Sequence, residues 1–289
     1  MDTHLLTNQN LKQRNIYRFT QGNWQEVEDV VVAEEPLEIR LAYLGGAGKE
    51  IVKSLAVTMR TPGADFDLVR GFLFTEGIIR KAEEILSMQF VEVPENEKPT
   101  GQIILVHLAS QVAGEVKKIQ PRLYMSSSCG LCGKASSSQL QKVPAYLVLP
   151  DRPKVEADLL GYLPEKLWQW QASFRQTGGI HACGLFNQQG DLMLLQEDVG
   201  RHNAMDKLVG ILLEQQQIPV RDHLLLFSGR LSFELVQKAM MVGAPFLCAI
   251  GAPSSAAIAL AEESGMTLIG ILSHYRFNIY TGPERVITS

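Results

Sequence analysis

The stretch that decides the fold is residues 223–272, HLLLFSGRLSFELVQKAMMVGAPFLCAIGAPSSAAIALAEESGMTLIGIL. Its start, His223 to Phe227, is a short apolar run closed by Ser228-Gly229-Arg230, and it reads as a buried strand. Ser232 to Val242 reads as a helix, Phe246 to Ile250 as a second buried strand, residues 254–264 as a second helix and 266–272 as a third strand. Strand–helix–strand–helix–strand with short links predicts a partly parallel sheet with right-handed crossovers, in an α/β layered domain. One part of this stretch is long and apolar enough to suggest a membrane span: the 23 residues from Ala239 to Ala261 carry no charge. Gly243, Pro245, Gly251, Pro253, Ser254 and Ser255 interrupt it, which a membrane helix rarely tolerates, so a helix end, a strand and a new helix start are expected there and no membrane is expected as partner.

Upstream, the same alternation continues. A helix rich in Leu and Trp is expected from about Pro164 to Phe174, then a strand near Cys183 to Phe186, a Gly190-Asp191 turn and a strand from Leu192 to Leu195. Residues 202–216 carry Met205, Leu208, Val209, Leu212 and Leu213 at helical spacing. Downstream, residues 277–280 read as a last strand. The first half is different. LEIRLAY from Leu37 alternates apolar and charged residues, GGAGKE makes a turn, and Ile51 to Met59 is again apolar, which together predict a hairpin. A helix follows from Asp65, its expected N-cap, carrying Phe66, Val69, Phe72 and Leu73, and then strands near Met88 to Val93 and Gln102 to Leu108. The organisation expected is α/β (α+β overall): a loose arm over 1–30, a β-rich subdomain over 31–125, a loop over 126–140 and the layered α/β domain over 141–289.

Composition bounds the function. The 289 residues are 46% apolar and 20% charged, enough to bury a core without disulfide or metal staples. A net charge of −4 excludes a general nucleic-acid binder, which needs basic patches. Four cysteines are too few for a disulfide framework, and residues 1–19 have no apolar core of signal-peptide length, so a reducing, cytoplasmic setting is expected.

Three features carry chemistry. Ser126 to Ser138, SSSCGLCGKASSS, holds Cys129 and Cys132 in a CxxC with no core periodicity, as on an exposed, mobile loop. That spacing serves zinc, dithiol redox or sulfur transfer; an incidental pair in a linker is the bland alternative. Zinc needs two more ligands, which only His181-Ala182-Cys183 offers, and a redox motif normally opens a helix. A persulfide carrier suits a mobile loop, where Gly130, Gly133 and Lys134 favour the thiolate. The second feature is polar: Thr177-Gly178-Gly179-Ile180-His181 together with Glu197, Asp198, Arg201, His202, Asn203, Asp206 and Lys207. Asp198 is a candidate cap for the following helix, and His202 and Asn203 lie in its first turn; capping and functional roles both remain open there. The third is topological. Ser228-Gly229-Arg230 and Gly251 to Ser255 each follow a strand and precede a helix. If the strands are parallel neighbours, both helix N-termini open on one sheet edge, a site for a phosphorylated or nucleotide-bearing ligand in which Ser228, Arg230 and Ser254 take part. Cys248 reads as inert core.

PGADFDLVRGFLFTEGII (62–79), SSSCGLCGKAS (126–136), TGGIHA (177–182), EDVGRHNAMDKLVG (197–210), SGRLSFELVQKA (228–239) and RFNIYTG (276–282) together resemble the FdhD family, the formate dehydrogenase accessory sulfurtransferases. The resemblance runs from about residue 35 to the C-terminus. It implies a C-terminal half similar to the cytidine deaminase fold, a homodimer, and a sulfurtransferase that takes sulfur from a cysteine desulfurase. The sulfur would pass to the molybdenum cofactor, bis(molybdopterin guanine dinucleotide), which is a bound substrate rather than a permanent cofactor, before its insertion into formate dehydrogenase. It further implies Cys129 as persulfide carrier, Cys132 as relay thiol, and Ile271, Leu272, Ser273, His274, Tyr275 and Arg276 as the nucleotide-binding stretch. His181 and His202 of the polar feature are further cofactor-binding candidates, and no metal ligand is expected. Two other functions compete. A zinc deaminase-like hydrolase would need HxE and PCxxC, where this chain has His181-Ala182-Cys183 and a CxxC without a preceding proline. A chaperone that only binds and delivers the cofactor would need the sheet edge and not the thiols.

Overall fold

The protein is described by a computed structural model, over residues 10–45, 48–92, 101–118, 146, 148, 149 and 152–288. The expected hairpin is there: β3 (Glu35–Leu44) pairs antiparallel with β4 (Glu50–Arg60). With β5 (Ile85–Val91) and β6 (Gln102–Leu108) they form a four-stranded sheet in the order β4-β3-β6-β5, with β3 and β6 parallel. Residues 11–32, which span most of the stretch read as a loose arm and run two residues past it, instead pair as β1 (Leu11–Thr20) and β2 (Asn23–Val32) around Gln21-Gly22, both in left-handed backbone. Mixed polar and charged side chains hid this hairpin, since most of both its faces meet solvent and no alternation is imposed.

The second sheet has six strands in the order β13-β12-β11-β10-β8-β9. They are β8 (His181–Phe186), β9 (Leu192–Asp198), β10 (Leu224–Phe227), β11 (Phe246–Ala249), β12 (Thr267–Gly270) and β13 (Asn278–Thr281). β10, β11 and β12 are parallel neighbours, β8 and β13 run against them, and β9 is antiparallel to β8, so the sheet is partly parallel as expected. Side chains of β10 alternate between two cores: Leu225 and Phe227 face one, Leu224 and Leu226 the other. The first core holds Met205 and Leu208 of α5 (Arg201–Glu214), Leu235 and Val236 of α6 (Phe233–Met241) and Leu260 of α7 (Ser255–Glu263). The second is covered by Leu160, Leu163 and Leu167 of α3 (Ala157–Trp170). Burial on both faces explains why these strands are continuous apolar runs rather than alternating ones. A helix expected over 164–174 is in fact two, α3 and α4 (Ala172–Thr177), broken at Gln171.

The first core continues without a break into the first half, through Leu37, Ile39, Ile104 and the helix α1 (Asp65–Thr75). α1 crosses α5 at two glycines. A Cβ on Gly71 would lie 1.8 Å from the Asp206 carbonyl oxygen, and one on Gly210 1.9 Å from that of Asp67, so only glycine permits this backbone contact. Asp65 is not the N-cap of α1: Ala64, in left-handed backbone, holds that place, and Asp65 pairs with the fully buried Arg60 guanidinium at 2.7 Å. Among the described residues, no helix is long and apolar enough to cross a membrane.

Candidate functional site

The segments 228–230 and 251–255 do open on one edge. Past the strand ends, Ile250 N donates to Phe227 O (3.0 Å), Gly251 N to Gly229 O (3.2 Å) and Ser254 N to Leu231 O (3.0 Å), so the loops continue the parallel ladder. The segment after β12 joins them, with Ile271 N donating to Gly251 O (3.1 Å) and Leu272 N to Ala249 O (3.0 Å). Gly251 allows this layering, because a Cβ there would meet the Arg230 backbone nitrogen at 2.9 Å. Ser254 is the N-cap of α7, its hydroxyl accepting from Ala257 N at 3.2 Å. Ser232 starts α6 without a side-chain cap bond, and its hydroxyl lies 3.2 Å from Nε2 of the buried His202. Arg230 is exposed at the rim.

β8 runs antiparallel to β10, which brings its first residue to the same edge. Ser228 Oγ accepts from Ala182 N (2.8 Å) and sits 3.4 Å from His181 Nδ1. Burial pushes the His181 imidazole below its ordinary pKa, and the nearby Arg201 charge adds to this against an opposing pull from Asp198. The ring is therefore neutral at pH 7. Beyond it opens a cleft of about 440 Å³, walled by Trp168, Gln171, Phe174, His181, Ser228 and Ile250.

The stretch 271–276 is a tight turn, closed by Ser273 N and Oγ donating to Arg276 O, both at 3.0 Å. Its side chains part company: Leu272 is buried in the second core, while His274, Tyr275 and Arg276 are exposed. The His274 ring meets Tyr162 of α3 edge-on at 4.6 Å and Tyr275 at 5.2 Å. Gly161 lets α3 come this close, since a Cβ there would lie 3.0 Å from His274 O.

The polar run 197–207 resolves mainly into structural ties. Glu197 accepts from Ser173 N and Phe174 N, both at 3.0 Å, at the start of α4. Asp198 does not cap α5, whose N-cap is Gly200. It is fully buried, pairs with Lys207 Nζ at 2.8 Å and accepts from Thr61 N and Asn203 Nδ2, joining the two halves of the chain. Asp206 pairs with Lys238 at 2.8 Å and accepts from the Thr75 hydroxyl at 2.8 Å, a second buried tie. The raised Asp206 pKa reflects burial first, with Lys238 opposing it. These partners lie up to 163 positions apart, which is why sequence reasoning missed Thr61, Thr75 and Lys238.

Cys129 and Cys132 lie outside the described residues. Cys183 is fully buried, as is Cys248; burial drives both thiols far above the ordinary range, and Asp206 adds to this at Cys183. Neither is a nucleophile or a ready metal ligand. Among the described residues, no group of three or more His, Cys, Asp or Glu is placed to hold a metal ion.

Comparison with known proteins agrees over nearly the whole chain. The model of the FdhD/NarQ family matches residues 32–287. The sulfur carrier protein FdhD of Mycolicibacterium paratuberculosis is 43% identical over 274 residues, covering 94% of this chain and 97% of that one. Its namesake in Sulfurisphaera tokodaii is 40% identical over 260 residues, covering 90% and 92%. A crystal structure from Desulfotalea psychrophila, provisionally assigned as a formate dehydrogenase accessory protein, superposes with a TM-score of 0.66 at 26% identity, over 96% of this chain and 99% of that one. The chain belongs to the FdhD/NarQ family.

Proposed function

We propose that this protein is a sulfurtransferase that serves formate dehydrogenase. The Cys129 thiolate attacks the terminal sulfur of a cysteine desulfurase persulfide, forming a Cys129 persulfide and releasing the desulfurase thiolate; Cys132 is the relay thiol. A low-pKa thiol suits this exchange, since it must be ionised and still nucleophilic near neutral pH. The sulfur is destined for bis(molybdopterin guanine dinucleotide), which binds as substrate at the sheet edge before delivery to formate dehydrogenase. The observation that carries this reading is the convergence of residues 228–230, 251–254 and 271–276 on one edge, with His181 beside them. That edge offers two helix N-termini and the exposed Arg230 and Arg276 to phosphate groups. Family membership and relatives named as sulfur carriers support the same reading. A cytoplasmic homodimer, with the C-terminal half layered as in cytidine deaminases, belongs to the same proposal. A zinc deaminase-like reading loses support from the deeply buried, protonated Cys183 thiol.

The test is mass spectrometry of the full chain after incubation with a cysteine desulfurase and cysteine. A mass gain of one sulfur atom is expected in the wild type and absent in Cys129→Ala. An adduct that survives the Cys129→Ala/Cys132→Ala double variant would overturn the carrier assignment. Full rescue of formate dehydrogenase activity by that double variant would leave cofactor delivery as the function.

A further inference from the structure

The β1–β2 hairpin is a sheet of its own, rooted beside the cleft. β2 packs against α4, and a Cβ on Gly179 would lie 3.7 Å from Val32 Cγ1. Phe174 of α4, Gly178 and Gly179 all line the cleft. The base is tied further by Lys12 to Glu35 at 2.6 Å and by Ala33 N donating to Asn10 O at 2.8 Å. From this root each ten-residue strand runs about 30 Å at the ordinary strand rise. Toward the tip, Tyr17 is 72%, Phe19 56% and Trp24 70% exposed, with the Phe19 and Trp24 rings 4.9 Å apart. A lone two-stranded hairpin is marginal in water, so three large rings left on its surface mark an interaction site.

Register sorts the charges. Asn15 opposes Glu28, Tyr17 opposes Glu26 and Phe19 opposes Trp24, so the rings and two glutamates share one face, on which no basic residue lies. Lys12, Arg14, Arg18 and Asp29 lie on the other face. The complement of the ring face is therefore an apolar, basic surface. A second copy of the chain does not supply it. Two-fold pairing at either hairpin edge would set Lys12, Arg14 and Arg18 against themselves, or Glu26, Glu28 and Asp29 against themselves. Stacking two ring faces would bring the glutamates of both copies together.

We infer that the hairpin is a docking arm for the formate dehydrogenase apoenzyme and grips an apolar, basic surface on it. The inference rests on the proposal that the cofactor binds at the sheet edge and is delivered to that enzyme. The root of the arm selects this partner. A protein held there sits over the cleft, where the cofactor leaves, and the recipient of the cofactor is the partner that belongs at that place. The sulfur donor reacts with Cys129 and needs no access to the cleft.

The test is biolayer interferometry of the full chain against cofactor-free formate dehydrogenase at low and high salt, for wild type, Trp24→Ser, Trp24→Phe and Glu26→Lys. Trp24→Ser is expected to weaken binding about thirtyfold, and Trp24→Phe to keep affinity within about threefold of wild type. Wild-type binding is expected to weaken with salt; Glu26→Lys is expected to weaken it at low salt and to flatten the salt dependence. Glu26→Lys leaves the rings in place, so it separates docking from any loosening of the hairpin tip in Trp24→Ser. Sulfur uptake from the desulfurase, read by mass, and oligomeric state, read by light scattering, are expected to match wild type in every variant. Wild-type affinity for the apoenzyme in both Trp24→Ser and Glu26→Lys overturns the inference. A changed oligomeric state also overturns it, with a second copy as the occupant, and so does lost sulfur uptake with normal apoenzyme binding, with the desulfurase as the occupant. A wild type that takes up sulfur on Cys129 and restores formate dehydrogenase activity, yet does not bind the apoenzyme, overturns the arm alone. A wild type that neither takes up sulfur nor restores that activity overturns the proposed function with it.

Discussion

Replacing Gly210 by Ala tests the joint between the two halves. In an isolated helix this change stabilises, by about 1 kcal/mol, because alanine is the better helix former. Here the new Cβ would sit 1.9 Å from the Asp67 carbonyl oxygen, 1.5 Å inside the 3.4 Å at which ordinary contact begins. The obstacle is backbone, so no rotamer change relieves it, and α1 and α5 must separate. That movement loosens the core around Leu68, Val69, Phe72, Met205 and Leu208 and stretches the 2.8 Å bond from Thr75 to Asp206. Overpacking of this kind costs roughly 1–3 kcal/mol where side chains can give, and a weakened hydrogen bond to a buried charge costs roughly 1–3 kcal/mol more. Against the propensity gain, a net loss of about 3 kcal/mol is expected. Guanidinium unfolding measures it, with Gly114→Ala as the control. Gly114 lies in a short helix, α2 (Ala113–Lys118), with no atom within 4 Å of its Cβ position, so alanine there should raise the midpoint. A midpoint for Gly210→Ala that is unchanged or raised would refute the close crossing.

Two further outcomes follow from the buried charges. Lys207→Met should cost on the order of 3–5 kcal/mol by leaving the Asp198 carboxylate buried and uncompensated, and Lys207→Met/Asp198→Asn should recover part of that loss in the same unfolding assay. A single-variant loss under about 0.5 kcal/mol, the range of surface substitutions, would contradict a buried ion pair. His181 holds its folded pKa below the unfolded value of 6.5, chiefly through burial. As pH falls past 6.5 the unfolded chain takes up that proton first, so the stability present above this pH is lost downward toward the folded pKa. The drop in unfolding midpoint between about pH 7.5 and about pH 5.5 should therefore be smaller in His181→Asn than in wild type; equal drops would show that the imidazole is not desolvated.

Element types in the second half were legible chiefly because the central strands β10, β11 and β12 are buried on both faces. Leu224 to Phe227 and Phe246 to Ala249 had to be unbroken apolar runs, and the Gly, Pro and Ser between them had to mark turns and helix starts. The β1–β2 hairpin was illegible for the opposite reason: with little of it buried, its sequence carries no pattern for burial to impose. The polar run 197–207 was found but not sorted. Glu197, Asp198, Asn203 and Asp206 act through Ser173, Thr61, Met59 and Lys238, and a local window contains none of these partners.

The sequence by itself determined the order and kind of the elements from His181 onward, the family, and the candidate edge at residues 228–230 and 251–255. Local periodicity and turn chemistry act over a few residues and are written in the chain. Only the tertiary structure decided that β8 lays His181 against Ser228, that residues 271–272 join the same edge, and that the α3–α4 corner turns Gln171 into a cleft wall. It also decided that Gly71 and Gly210 are a single contact, although 139 positions separate them. Such pairings depend on which surfaces exclude water together, and that is fixed only when the whole chain packs.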